Sequence, residues 1–266
     1  TSGLLTVSTT TLQGVAVLEV VVNDPDVSAT DADIAAPTAS VGGTSYELTQ
    51  GTNGKWYLYV VDRSQAALFD DDTNGFEFGI LCTTGIGVNH DTTTLIVPSG
   101  TQVYVAAVEY SGTSVIAAGM CKDLDNAPTT TDDSGSTSRQ DMTAAILQNA
   151  PSLSNPGADA SNLGQRIHKL NASGYGSWPY IISVNLTAGD NLVEYGSDAI
   201  NVVYGNTDSD SSIEIANRNP GDQAEVQMTI TDPALNIDPT TADIWSFDLT
   251  AAATGSTVIF SNNGTN

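Results

Sequence analysis

Apolar residues along this chain fall in short runs, each closed by a cluster of Gly, Pro, Asn, Asp, Ser or Thr. Such runs predict strands joined by turns rather than long helices. VAVLEVVVNDP (15–25) is almost continuously apolar up to Asn-Asp-Pro, as expected of a strand buried on both faces or entering a sheet core. TASVGGTSYELTQ (38–50) and KWYLYVVD (55–62) are divided by GTNG, whose Asn53-Gly54 pair offers the positive φ angles of a tight hairpin. Alternation in the second of these places Trp56, Leu58 and Val60 on one face and Tyr57, Tyr59 and Val61 on the other. FEFGILC (76–82), TLIVPSG (94–100), QVYVAAVEYSG (102–112) and SVIAAGMC (114–121) continue the series. The expected class is all-β, with enough short strands for a sandwich.

KDLDNAPTTTDDSGSTSRQ (122–140) interrupts the pattern, being almost devoid of apolar residues, and reads as an exposed loop. DMTAAILQNAP (141–151) suits either a short helix capped by Asp141 or an extended connection. Strands resume with YIISVNLT, AINVVYG, SSIEIAN, AEVQMTITDP, IWSFDLT and STVIFS. The pattern therefore predicts one β-sandwich domain over residues 1–150, a connecting segment over 151–174, and a second, short or incomplete β domain over 175–266. VVVNDPDVSATDADI and MTITDPALNIDPTTADI echo one another, each a β run, then Asp-Pro, then an acidic loop, as duplicated units would.

Charge changes the picture from a generic β protein to an unusual one. The chain carries 31 Asp and Glu against 7 Lys and Arg, a formal net charge of −24 over 266 residues. These carboxylates recur in loops between strands rather than in one acidic tail. Self-repulsion on this scale opposes compaction unless cations neutralise it, so a cation-rich exterior is expected. Nucleic acid is excluded as a partner, because phosphate binding needs a basic footprint. No apolar run reaches the roughly 20 residues of a membrane-spanning helix, so no transmembrane segment is expected. The start at Thr1, without a basic leader, is expected of a mature exported chain.

Candidate chemistry is confined to acidic loops. There is no GxSxG, HExxH, GxxxxGK or GxGxxG motif, and the only histidines are His90 and His168, so the chain is not expected to be an enzyme. DDDTNGFEFG presents Asp70, Asp72 and Asn74 at alternating positions before Gly75, the opening of a calcium loop. Leu81 stands where the closing bidentate Glu belongs, which excludes a full EF-hand and leaves a looser calcium turn closed by Glu77 or by another loop. Asp208 with Asp210, and Asp24 with Asp26, repeat the alternation and are further candidate ligands. Asp232, Asp238 and Asp243 sit in a similar loop and are read individually as turn formers or solvated side chains. Cys82 and Cys121 suit a disulfide closing a loop of about 40 residues, worth about 4 kcal/mol on the chain-entropy model, or a pair of buried thiols. Asn171, Asn185 and Asn263 head N-x-S/T sequons permissive for glycosylation.

Extended stretches of the chain, LTQGTNGKWYLYVVD, NLGQRIHKLNASGYGSWPYI, DNLVEYGSDAINVVYGNTDS and VQMTITDPALNIDPTTADIWSFDLT among them, resemble the surface-layer proteins of ammonia-oxidising archaea. The resemblance implies immunoglobulin-like β-sandwich domains in tandem, with antiparallel strands and long acidic loops. It also implies secretion, glycosylation, calcium or other divalent-cation binding, and homo-oligomeric assembly into a porous two-dimensional lattice that enriches ammonium at the cell surface. Typical members are much longer than 266 residues. Two other classes compete. One is an extracellular filament subunit assembled by β-strand exchange, with residues 1–22 as donor strand. The other is a carbohydrate-binding module using Trp56, Trp178 or Trp245 as a sugar platform.

Overall fold

The computed structural model describes residues 3–30, 35–69, 80–82, 103–105, 147–152, 179–205, 210–217, 219, 221, 226–248 and 257–261. Within these residues the regular structure is mostly strand, as the chain's pattern predicts, and the one α-helix among them, α1, spans Arg63–Phe69. The strands are β1 (Leu5–Val7), β2 (Thr11–Leu12), β3 (Leu18–Val22), β4 (Thr38–Val41), β5 (Thr44–Glu47), β6 (Thr49–Gln50), β7 (Trp56–Asp62), β8 (Ile80–Cys82) and β9 (Val103–Val105). They continue with β10 (Tyr180–Val184), β11 (Gly189–Tyr195), β12 (Asp198–Tyr204), β13 (Ser212–Ile215), β14 (Met228–Thr231), β15 (Ile244–Asp248) and β16 (Thr257–Ser261).

Two sheets form the body. The larger runs β1-β3-β7-β10-β9-β8, with β6 also paired to β7, and the smaller runs β2-β12-β11-β4-β5. Both are mixed, because β10 lies parallel to β7 and β12 parallel to β2, whereas every other pairing is antiparallel. The expectation of antiparallel strands is therefore corrected at these two pairings and holds at the others described. A parallel pair needs a long crossover, and the chain between β7 and β10 exceeds a hundred residues in sequence.

The facing sides of the two sheets share one core. Leu18, Val20, Trp56, Leu58, Val60 and Ile182 from the larger sheet meet Leu12, Val41, Val193 and Val202 from the smaller. The opposite side of the larger sheet is covered too, with Tyr57, Tyr59, Val61 and Ile181 packing against Val17, Leu147 and Ile237. Hence β7 and β10 are buried along their whole lengths. The two faces read from the alternation of KWYLYVVD are those observed. The run from Val15 instead resolves into an alternating strand, with Glu19 and Val21 only half-buried.

Turns fall where small residues allow them. Gly51–Lys55 connects β6 to β7, with Gly54 at φ 80°, where an added Cβ would meet the Ser28 carbonyl oxygen at 3.0 Å. TASVGGTSYELTQ is three strands, not one, because Gly42 and Gly43 at φ 58° and 81° turn β4 back on β5.

The division at residues 150–175 does not separate the strands as expected. β10, β11 and β12 lie inside the same two sheets as β1–β7, so residues 180–204 belong to the sandwich built by the first half. The physical reason is apolar content: Tyr180–Val184 is apolar on both faces and is buried on both between β7 and β9. Of residues 1–22, expected as a donor strand, the strands at 5–22 are built into their own chain, β1 on β3 and β2 on β12. Beyond residue 210 the strands form two separate two-stranded ribbons, β13–β14 and β15–β16.

Candidate functional site

The acidic turns divide into those the fold consumes and those it leaves outside. Asp24 caps the 3-10 turn Pro25–Val27, one oxygen accepting the Asp26 N–H at 3.0 Å and the other the Tyr195 hydroxyl at 2.8 Å. Burial, and then the bond to Asp24, push the Tyr195 phenol up to about 12. Both Asp24 oxygens are engaged within the chain, and Asp26 is exposed. Asp210 is exposed. Asp70, Asp72, Asn74, Glu77 and Asp208 lie outside the described residues, as do Cys121, Asn171 and Asn263. Among the described residues no group of three or more His, Cys, Asp or Glu side chains is placed to hold a metal. Cys82 ends β8, and Asn185 is exposed just after β10. Trp56 is a core residue, 1% exposed, its indole N–H donating to the Val27 carbonyl at 2.8 Å, so it offers no sugar platform.

Two acidic side chains are buried, one at a strand end and one in a turn. Asp62 ends β7 and caps α1, accepting from the Ser64 N–H, the Ser64 hydroxyl and the Gln65 N–H at 3.0, 2.5 and 3.1 Å, and from the Leu186 N–H at 3.2 Å. It thereby ties the helix and the β10–β11 connection to the central strand. Asp238 is fully buried. One of its oxygens accepts from the Thr240 N–H and hydroxyl at 2.8 and 2.6 Å, the other from the Gln148 N–H at 3.0 Å.

Asp243 completes this second arrangement. Its Oδ2 accepts from the Ile237 and Asp238 N–H groups, the latter at 3.1 Å, while its Oδ1 is buried without a hydrogen-bond partner. Burial pushes its carboxyl up to about 6, partly opposed by the two N–H bonds, and raises Asp238 as well. The turn is fastened to the outer face of the larger sheet by the Val17 N–H on the Ile237 carbonyl at 2.9 Å, and to residues 147–152 by the Asn149 N–H on the Thr240 hydroxyl at 3.0 Å. Glu19 stands nearby, raised by burial, and accepts from the Tyr59 hydroxyl at 2.7 Å. Spacing alone marked Asp238 and Asp243 as turn residues. The apolar neighbour Ile237, 1% exposed, was the signal that this turn packs inward.

An exposed apolar surface lies on the first ribbon. Register pairs Ile213 with Ile230 and Ile215 with Met228, which alternation puts on one face, while Ser212, Glu214, Thr229 and Thr231 take the other. These four apolar side chains are 40–63% exposed, and Val226, two residues before Met228, is exposed as well. Such a pattern on a two-stranded ribbon is unusual, since two strands alone are marginal in water. No family model matches the chain, and no curated protein matches its sequence.

Proposed function

We propose that this chain is a structural subunit of a porous acidic coat outside an archaeal cell, a surface-layer protein of the kind it resembles. The observation that carries the reading is the apolar face of β13–β14. In a chain of net charge −24, copies repel wherever carboxylates face one another, so contacts between subunits belong on uncharged surface. The ribbon offers that surface, with Glu214 turned to its opposite side.

In this proposal the sandwich is an immunoglobulin-like unit and the ribbons beyond residue 210 begin a neighbouring unit in tandem. Calcium or another divalent cation neutralises exposed carboxylates, with the loops at residues 70–77 and 206–210 as its sites, and the remaining negative potential admits ammonium while repelling anions. Exposure of Asn185 favours a glycan there, as an exported chain would carry. The reading includes no catalytic role. Purified protein should form regular sheets with calcium that disperse under chelation, seen by negative-stain microscopy. A chain that stays monomeric under both conditions would sink the proposal.

The ribbons also favour a second reading, a filament joined by β-strand exchange. Each ribbon has two strands among the described residues, and a strand added by a neighbouring copy would extend such a ribbon through its outer edges. Fibres one subunit wide, in place of sheets, would select it.

A further inference from the structure

We propose that the turn at residues 237–243 is a proton-sensitive clasp, which holds the segment leading to the C-terminal ribbon against the sandwich more tightly as the surroundings acidify. The inference rests on a mismatch in hydrogen bonding. The turn needs the Asp243 Oδ2 to collect the Ile237 and Asp238 N–H groups, which brings Oδ1 into a buried position with nothing to accept from. A buried acceptor without a donor is costly, and more so when it carries charge. A proton on Oδ1 leaves Oδ2 free to keep both N–H bonds and removes the charge.

The surroundings sharpen this preference. Asp238, fully buried in the same turn, already spends its two oxygens on Thr240 and Gln148 and acts on Asp243 as a like charge. Glu19 on β3 faces Asp238 from the sheet, held by the Tyr59 hydroxyl of β7. The segment at residues 147–150 contributes to the turn the neutral N–H groups of Gln148 and Asn149. The groups packed around this carboxyl thus add negative charge, and the backbone donors fall on Oδ2 alone.

What the clasp holds gives the device its consequence. Ile237 is part of the apolar cover over Tyr57, Tyr59 and Ile181, and β15 begins one residue after Asp243. Opening the turn would uncover that face of the larger sheet and release the start of the β15–β16 ribbon. With the turn open, Asp243 titrates near the usual aspartate value of about 3.9. With the turn closed it titrates at about 6. Between the two the closed form binds a proton the open form lacks, so closure strengthens as pH falls and is weakest above the higher value.

Hydrogen exchange on the full chain tests this. Amide protection at Ile237 and Asp238, corrected for intrinsic exchange and taken relative to Val60 and Ile182, should rise about tenfold from about pH 8 to about pH 5, and Asp243→Asn should abolish the rise. An unchanged rise in the variant, or a wild-type clasp that loosens in acid, would overturn the proposal. Should the variant not fold, carbon-13 NMR of the wild-type Asp243 carboxyl decides. A midpoint near 6 supports the clasp, and a carboxylate still fully ionised at about pH 5 overturns it. Calcium chloride added at about pH 8 is the control for a cation in place of the proton. No change in protection at Ile237 supports the clasp, and full tightening overturns it.

Discussion

Asp62 accepts from the Ser64 N–H and hydroxyl and from the Gln65 and Leu186 N–H groups, whereas Asp243 gathers two N–H groups on one oxygen and leaves the other bare, so the two aspartates respond differently to mutation. Removing the first should be the more damaging. Asp62→Ala strips a helix cap and leaves the Leu186 N–H unpaired, so we expect a loss of about 2–4 kcal/mol in urea denaturation. Asp198 provides a contrast, because its Oδ2 accepts from the Leu4 N–H at 2.6 Å and the Leu5 N–H at 3.3 Å. The Leu4 bond, foremost, holds its carboxyl below the ordinary range. A depressed carboxylate stabilises the fold above its unfolded value and loses that contribution as pH falls through the folded one. Asp198→Asn should therefore flatten the acid limb of a plot of melting temperature against pH, while leaving the limb around pH 6, which belongs to Asp243, in place.

Among the elements, β7 and the β13–β14 ribbon are the extremes of one sequence pattern. β7 is apolar on both faces and covered on both by core and turn, whereas the ribbon strands alternate and their apolar side is open. Trp56→Ala should cost about 3–5 kcal/mol, for the cavity and for the lost bond to the Val27 carbonyl, read as a fall in the denaturation midpoint. Ile213→Thr with Ile230→Thr should change the sandwich's stability by no more than about 0.5 kcal/mol. The same pair should reduce self-association in sedimentation velocity, and retained assembly would remove the ribbon from the interface. Hairpin positions were legible where glycine sets the turn, as at Gly54, but the Gly42-Gly43 turn was read through as one strand. Local signals mark where a chain bends. They do not say which distant strand it pairs with.

At the scale of the molecule, net charge and assembly are one question. A chain of −24 should associate more readily as salt or calcium rises, through screening of repulsion between exposed carboxylates. Light scattering against ionic strength measures this, and assembly that weakens steadily with salt would place the contacts on opposite charges instead. Strand content and the two faces of KWYLYVVD were readable because successive side chains of a strand point to opposite sides. The buried turn at Asp238 and Asp243 was not, because an aspartate in a loop has the same local sequence whether it caps a solvated turn or a packed one.

By itself the sequence determined that the chain is built of short strands, that it is strongly acidic, and that its central strand has two apolar faces. Only the tertiary structure decided that Tyr180–Val184 lies parallel to β7 within the first sandwich, and that the N-terminal strands close on their own chain. It also decided that Asp238 is buried, and Asp243 half-buried, in a turn fastened to the outer face of the larger sheet. Alternation records which side of a strand meets apolar matter, a local constraint, whereas pairing partners and buried carboxylates follow from contacts between residues far apart in sequence.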